Sequence, residues 1–154
     1  LAMEHLAKTY MTRLGIVLTR PFNYTGVGQE PRYLIPKIVN HFKTRASHIE
    51  LGNTDVARDF SDVRDVAKAY LLLAEAQYLG ETFNLCSGEA TALETIIAIA
   101  SEITGHDIEV RVNPGLVREN EIKTLCGSRK KLDSAIGHAG RREIRETLKW
   151  MLES

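Results

Sequence analysis

Three polar segments of the sequence contain residue types that could bind or transform a ligand. The first is residues 20–29 (RPFNYTGVGQ), where Asn23 offers both a hydrogen-bond donor and an acceptor, and two glycines let the backbone approach a ligand closely. An ordinary glycine-containing turn has the same composition. This segment therefore indicates a ligand contact only in combination with the other two.

The second segment, residues 51–66, places Arg58 and Arg64 among four aspartates. A planar guanidinium suits a phosphate group, and Arg58 lies a few residues before a predicted helix, whose first amides also favour anions. The alternative is a set of surface salt bridges, for example from Arg58 to Asp55 or Asp62, each of which contributes little stability.

The third segment is residues 118–121 (RENE), which joins an arginine to two carboxylates. Arg118 could take a phosphate while Glu121 accepts hydrogen bonds from both hydroxyls of a ribose. Charged loops are often only solvated, and that is the alternative here.

Short apolar runs and helical patterns alternate along the chain and must position these segments. The patterns predict strands at 16–19, 48–51, 82–86 and 108–112, an extended piece at 122–125, and helices at 1–14, 34–43, 63–77, 93–104, 129–136 and 141–152. Such alternation is typical of an α/β fold with parallel strands and crossover helices. Ligands of these folds bind at the carboxyl ends of the strands, where the first two segments lie.

Local signals fix several helix ends. Asp62 is a candidate N-cap for the helix at 63–77, Thr91 and Glu94 resemble a capping box for the helix at 93–104, and Gly105 is a typical C-terminal stop. Residues 22–32 and 113–120 are rich in Gly, Pro and Asn, which predicts loops.

Composition excludes several classes of protein. Lys plus Arg is 20 and Asp plus Glu is 20, so the net charge is zero and no global field attracts nucleic acid or an anionic membrane. The longest apolar stretches are too short to span a bilayer. Cys86 and Cys126 do not form a CxxC pair, and no histidine lies at metal-ligand spacing from them. We therefore expect free thiols of a cytoplasmic protein, with neither a disulfide bond nor a zinc site.

The start of the chain differs from that of a complete domain. Residues 1–14 have apolar positions at helical spacing, yet no Ser, Thr, Asp or Asn precedes them as an N-cap, and the first residue is Leu. We expect a helix that has lost its beginning and a chain that lacks an upstream part.

Five segments together resemble the carboxyl-terminal half of extended short-chain dehydrogenase/reductases that act on nucleotide sugars. Within this NAD-dependent epimerase/dehydratase family, the resemblance is to GDP-4-keto-6-deoxy-mannose reductases and GDP-mannose 4,6-dehydratases. The segments, in the family's order, are residues 20–29, IPKI at 35–38, LGN at 51–53 with RDF at 58–60 and DVRDV at 62–66, FNLCSG at 83–88, and 118–127. RDF together with NLCSG looks more like the reductase branch.

The resemblance implies a Rossmann-like α/β fold with a small substrate-binding lobe, and it implies NADP or NAD as cofactor. It places Pro21 and Phe22 against the nicotinamide and Asn23 on the pyrophosphate of a nucleoside diphosphate sugar, with GDP-linked sugars preferred. Lys37, Arg58 and Arg118 then neutralise phosphate oxygens, and Glu121 holds ribose.

The family's catalytic Tyr-x-x-x-Lys pair and glycine-rich phosphate loop have no fitting counterpart in these 154 residues. The resemblance thus implies that residues 1–154 are the substrate-binding portion, with the amino-terminal dinucleotide-binding half absent and no catalytic residue in this chain. It also implies a homodimer through the helix at 1–14, although a core-facing apolar stripe fits that pattern equally well.

Several functions stay open on the sequence alone. GDP-4-dehydro-6-deoxy-mannose reductase is the leading hypothesis, with a GDP-mannose 4,6-dehydratase or a sugar-nucleotide 4-epimerase as alternatives. A non-catalytic sugar-nucleotide-binding domain belongs to a different class, as does an α/β domain whose arginines serve only solubility.

Overall fold

Eight short strands and six α-helices build the structure, a computed structural model that describes residues 2–76, 78–138 and 141–154. The strands are β1 (Leu18–Pro21), β2 (Asn23–Thr25), β3 (His48–Leu51), β4 (Ala57–Asp62), β5 (Thr82–Leu85), β6 (Ala90–Ala92), β7 (Glu109–Val112) and β8 (Thr124–Leu125). The helices are α1 (Ala2–Tyr10), α2 (Leu34–Lys43), α3 (Val63–Ala76), α4 (Leu93–Thr104), α5 (Lys130–Ile136) and α6 (Ile144–Glu153), and Pro114–Leu116 forms one 3-10 turn.

The strands pair in three small groups, most of them parallel. β1 pairs with β5, and β3 pairs with β7, both in parallel. β4 is the centre of the third group, because it pairs in parallel with β2 and β8 and antiparallel with β6. The prediction of an α/β fold with parallel strands is confirmed, and the antiparallel β4–β6 pair is the exception.

Two apolar clusters hold these groups together. The first buries side chains of α2, β3, α4 and α6, among them Ile38, Ile96 and Leu148, which are fully inaccessible to solvent. The second buries side chains of α3, β5 and α5, including Leu73, Phe83 and Leu132. Each such side chain contributes roughly 1.5–3 kcal/mol on burial, so these clusters fix the frame on which the loops are carried.

The predicted elements agree with the structure in most places and differ in several. Residues 22–32, predicted as a loop, contain β2, and the polar segment after β3 contains β4. The capping box was wrong because Thr91 lies in β6, opposite Arg58, and the N-cap of α4 is Ala92, whose side chain makes no capping bond. α1 ends at Tyr10, earlier than predicted.

Two other helix-end predictions are confirmed. The amide of Arg64 donates to Asp62 Oδ1 over 2.8 Å, as an N-cap requires. Gly105 ends α4 with φ of 59°, the left-handed conformation that favours glycine. Leu1 and Gln77, which the sequence placed in the first and third helices, lie outside the described residues.

α1 is attached to the rest of the molecule by polar contacts. None of its residues is buried, and Met3, Leu6 and Tyr10 are exposed. Arg20 at the end of β1 donates two hydrogen bonds to the Glu4 carboxylate, and these bonds lower the pKa of Glu4 to about 2. The apolar side of α1 therefore faces solvent and not a core.

Within the described ranges, no helix has both the length and the apolar character needed to cross a membrane. Cys86 is buried and Cys126 is exposed, and both are free thiols.

Candidate functional site

A cavity of about 680 Å³ lies where four loops and helix ends meet, and we call it the central cavity. The segment after β1, the amino-terminal end of α2, the β3–β4 connection and the loop before β8 all contribute to its wall. Its volume is within the range of small-molecule sites. Phe60, Val56 and Leu116 give the wall apolar surface.

The amino-terminal turn of α2 forms one side of the central cavity. Tyr33 is the N-cap, but its side chain makes no capping hydrogen bond. Leu34 and Ile35 follow it in the cavity wall, and amides of a first helical turn have no acceptor within the helix. Because the ten-residue helix also presents its positive dipole end here, this side favours an anion.

Arg58 also lines the central cavity and is paired with Glu121. Its guanidinium donates through Nη2 to Glu121 Oε1, and through Nη1 to the backbone carbonyls of Ala57 and Lys123. The side chains of Arg58 and Glu121 are only 15% and 20% exposed. The predicted alternative partners of Arg58 were wrong, since Asp55 pairs with Lys123 and Asp62 pairs with Arg64.

Glu121 also approaches a second arginine. Arg118 Nη1 lies 3.8 Å from Glu121 Oε2, and the Arg118 side chain is 82% exposed. The central cavity therefore holds two guanidinium groups with one carboxylate between them. An anionic ligand can replace that carboxylate at Arg118 with little rearrangement, because the contact is long and exposed.

The backbone around Arg118 is fixed by Asn53. The Arg118 amide donates to Asn53 Oδ1 over 2.8 Å, and Asn53 Nδ2 donates to the Arg118 carbonyl over 3.2 Å. Next to this bridge, a Cβ on Gly52 would lie 2.1 Å from the Leu116 carbonyl oxygen. Only glycine allows the two loops to approach so closely.

Asn23 lies in the cavity wall at the start of β2, opposite Phe60 of β4. One hydrogen of its side-chain amide is donated to the carbonyl of Asp59 over 3.2 Å, which leaves the second amide hydrogen as a donor and the side-chain oxygen as an acceptor. Phe22 lines the same region, and its amide donates to the Leu85 carbonyl at the end of β5. Pro21, the last residue of β1, is exposed and is not part of the wall.

The side chains of Lys37 and Arg64 do not line the central cavity. The Lys37 ammonium donates to the carbonyl of Glu50 over 2.5 Å and is not part of the cavity wall. Arg64 donates to Asp62 and lies over the Trp150 ring, 3.7 Å from its centroid. The structure thus brings together Phe22, Asn23, Arg58, Arg118 and Glu121, and it leaves Lys37 and Pro21 outside.

The carboxylate of Asp59 supports the cavity from behind and was not identified from the sequence. Asp59 is fully buried, and it accepts hydrogen bonds from the amide and hydroxyl of Ser87 and from the amides of Gly88 and Gly127. It thereby joins β4 to two loops distant in sequence. The sequence offered one hint of this role, because Asp59 directly follows Arg58, a candidate ligand-binding residue, in the RDF segment.

Acid–base and thiol chemistry have little support among the described residues. Tyr33 and Lys37 are four residues apart, but the Tyr33 hydroxyl accepts from Arg32 while Lys37 binds the Glu50 carbonyl. Burial, with the nearby Asp59 charge, raises the pKa of the Cys86 thiol to about 11. Partial desolvation of its sulfur and the Asp59 charge also raise the pKa of the exposed Cys126, so both thiols stay protonated near neutral pH. No cluster of metal-binding side chains occurs in residues 2–76, 78–138 and 141–154.

Comparison with known proteins gives consistent family matches. A family model described as GDP-mannose 4,6 dehydratase matches residues 1–151. The chain is 35% identical over 136 residues to GDP-6-deoxy-D-talose 4-dehydrogenase of Aggregatibacter actinomycetemcomitans, which covers 88% of this chain and 46% of that protein. It is 30% identical over 142 residues to GDP-6-deoxy-D-mannose reductase of Pseudomonas aeruginosa, covering 89% of this chain and 47% of that protein.

Solved structures agree with these matches. A Burkholderia cenocepacia protein provisionally named an epimerase superimposes with a TM-score of 0.96 at 53% identity, over 99% of this chain and 50% of its own. The structure of RMD from Pseudomonas aeruginosa, complexed with NADPH, gives 0.90 at 29% identity, over 99% of this chain and 52% of its own. The chain therefore has the fold of one part of a Rossmann-like enzyme and spans about half the length of these relatives.

Proposed function

This chain belongs to the GDP-mannose 4,6-dehydratase family, and from that premise we propose that it is the substrate-binding portion of an NAD(P)-dependent enzyme acting on a nucleoside diphosphate sugar. The observation that carries the proposal is the arrangement of the central cavity. Arg58, Arg118 and the first turn of α2 surround one space of about 680 Å³.

A diphosphate suits the charges of this cavity. The whole protein has no net charge, so an anion must be attracted by a local concentration of donors. Two arginines with one carboxylate leave one positive charge in excess, and the dipole of α2 adds to it. Guanidinium groups bind phosphate oxygens with paired, charge-assisted hydrogen bonds.

We assign roles to the residues of the wall on this basis. Asn23 donates to the diphosphate, Arg58 and Arg118 neutralise its oxygens from two sides, and Glu121 accepts from ribose hydroxyls. Lys37 remains a candidate only for a weaker role, because its ammonium must first leave the Glu50 carbonyl.

The residues present fit one end of a nicotinamide cofactor. Phe22 is an apolar group in the cavity wall at the carboxyl end of β1, and a Cβ on Gly127 would lie 3.0 Å from its ring, so that side is closely packed. We propose that Phe22 and the adjoining Pro21 contact the nicotinamide. When bound, NADP or NAD supplies hydride transfer, while residues of this chain hold the sugar nucleotide in place.

Within the family, we propose GDP-linked sugars as substrates and reduction of a 4-keto-6-deoxy sugar as the reaction. Two relatives at 30–35% identity are a GDP-6-deoxy-D-talose 4-dehydrogenase and a GDP-6-deoxy-D-mannose reductase, which supports this choice. The provisional epimerase name of the 53% identical structure favours sugar-nucleotide epimerisation as the second candidate. Nucleotide-sugar chemistry and two free thiols suit the cytoplasm.

We also propose a homodimer through α1. Met3, Leu6, Tyr10 and Leu14 are exposed, with Met3 at 84%, and an unburied apolar stripe of this kind suits a twofold contact. The same stripe could instead be covered by a dinucleotide-binding portion. Light scattering of wild type and Leu6→Glu separates the two, because only a dimer contact predicts a halved mass for the variant.

Calorimetry with GDP, UDP and GMP tests the central proposal. We expect GDP to bind more tightly than UDP and GMP, and its affinity to fall as salt rises because charge-assisted contacts dominate. Equal affinity for all three nucleotides, or an affinity that is independent of salt, would contradict the proposal.

A further inference from the structure

Two hydrogen bonds between Asn53 and Arg118 join the β3–β4 connection to the loop before β8. Arg118 lies in the exposed segment between the 3-10 turn Pro114–Leu116 and Glu121. Asn53 lies in the β3–β4 connection, 65 residues earlier, and lines the central cavity. Both residues also line a neighbouring cavity of about 420 Å³, so their bridge forms part of the wall that the two cavities share.

We infer that Asn53 is a positioning residue, which fixes the backbone of Arg118 so that its guanidinium reaches the diphosphate of the ligand. The inference rests on the proposed function, because it takes Arg118 to be a phosphate ligand. Its own support is the pair of hydrogen bonds from one side chain to both backbone groups of one residue.

The chemistry of this bridge requires an amide of this length. The side chain must accept from an N–H and donate to a carbonyl at the same residue, and a side-chain amide has both groups on one carbon. An aspartate would keep the acceptor and lose the donor. A glutamine would add one methylene and displace both groups.

Fixing the backbone matters because the side chain itself is free. Arg118 is 82% exposed, and among the described residues its guanidinium has one long ion-pair contact, 3.8 Å to Glu121. An arginine on a mobile loop loses both backbone and side-chain freedom when it binds, whereas one on a fixed loop loses only the latter. By fixing this loop, Asn53 thus removes part of the entropic cost of binding.

Asn113 provides a matched control on the same loop. Its side chain accepts from the Gly115 amide over 2.9 Å and donates to the Glu50 carboxylate over 2.8 Å. It therefore anchors the start of the loop to β3 but makes neither of the two bonds to Arg118. A general loosening of the loop would make Asn113→Ala and Asn53→Ala behave alike.

A double-mutant cycle on GDP binding tests the inference in the full-length protein. Asn53→Ala is expected to weaken GDP binding about tenfold, and Arg118→Ala to weaken it about thirtyfold. The double variant should bind like Arg118→Ala alone, and Asn113→Ala should bind within about twofold of wild type. With a nucleotide sugar and NADPH, Asn53→Ala should raise KM and leave kcat unchanged.

Hydrogen exchange without ligand tests the geometry separately. The Arg118 amide should exchange about fivefold faster in Asn53→Ala, while Asn53→Asp, which keeps the acceptor, should retain its protection. Independent losses from the two single variants would overturn the positioning role and leave the proposed function intact. An Arg118→Ala variant with wild-type GDP affinity would overturn Arg118 as a phosphate ligand and the inference together.

Discussion

Arg58 has two roles, since it stabilises the wall of the central cavity and is the proposed ligand of a diphosphate. Its charge is matched by Glu121, which comes from a loop 63 residues away. Both side chains are mostly buried, so neither can be removed without leaving the other partly uncompensated. The pairing with Glu121 means that loss of Arg58 should affect folding as well as binding.

Arg58→Ala should therefore weaken GDP binding by roughly 2–4 kcal/mol and lower the free energy of unfolding by about 1–3 kcal/mol. Thermal melts with and without GDP measure both effects. Lys123→Ala is the control, because the Lys123 ammonium forms an exposed pair with Asp55, so its loss should lower the free energy of unfolding by about 1 kcal/mol or less. If Arg58→Ala keeps its full GDP-induced shift in Tm, Arg58 is not a phosphate ligand.

Among the elements, β4 does most to assemble the site. Its side chains alternate, so that Arg58 and Phe60 line the central cavity while Asp59 points the other way. Asp59 accepts from the loops at Ser87 and at Gly127. Because Gly127 follows β8, which pairs with β4, this carboxylate also fixes the strand that comes after Glu121.

Asp59→Asn should lower the free energy of unfolding by roughly 2–4 kcal/mol, because an amide would direct a donor at backbone N–H groups that need an acceptor. Asp55→Asn is the control, since the side chain of Asp55 is 85% exposed and its loss should cost less than about 1 kcal/mol. Urea unfolding of both variants measures the difference. Equal stabilities would show that the Asp59 contacts contribute nothing to the fold.

The elements that sequence patterns predicted are those with a strong apolar period. α2 matches its predicted bounds, and β3 does so as well, because both bury regular apolar positions in one core. β2 (NYT) and β4 (ARDFSD) were missed because their residues are polar or charged, and these strands form through pairing with each other. The strand propensities of individual residues do not include such non-local hydrogen bonds, so they could not predict these two strands.

The candidate site was predictable in its residue types and not in its contacts. Arg58, Arg118 and Glu121 were identified from charge and position, and the structure brings them together. The predicted alternative partners of Arg58 were wrong, because Asp55 and Asp62, which are near it in sequence, pair with Lys123 and Arg64. Asn53 had no signal beyond its place after Gly52, since its function depends on a residue 65 positions away.

Asp62 connects three elements and makes the stability of the whole molecule depend on pH. It ends β4, bonds to Arg64 in α3, and accepts from the buried Thr147 hydroxyl of α6. Burial by itself would raise the pKa of Asp62, but the bonds from Arg64 and Thr147 outweigh it and hold that pKa below its ordinary value. A carboxylate with a lowered folded-state pKa stabilises the fold above its unfolded pKa, and this contribution is lost as the pH falls through the folded value.

Asp62→Asn should therefore be less stable than wild type at neutral pH, by about 1–3 kcal/mol, and the difference should shrink as the pH falls below about 4. Unfolding curves from pH 7 downward for both proteins measure this, with Asp55→Asn as the exposed control. A difference that stays constant with pH would mean that the Asp62 charge does not contribute to folding.

At the scale of the whole molecule, binding and catalysis separate. The 154-residue chain contains the proposed anion-binding cavity. In its single Tyr-x-x-x-Lys match, the Tyr33 hydroxyl accepts from Arg32 while the Lys37 ammonium donates to the Glu50 carbonyl. We therefore expect these 154 residues, if purified in folded form, to bind GDP and to catalyse no oxidation of NADPH with a GDP-4-keto-6-deoxy sugar. NADPH absorbance measures turnover, and the Pseudomonas aeruginosa reductase is the positive control. Turnover that disappears in Tyr33→Phe would contradict this expectation and identify Tyr33 and Lys37 as a working acid–base pair, which the ligand would have to bring together.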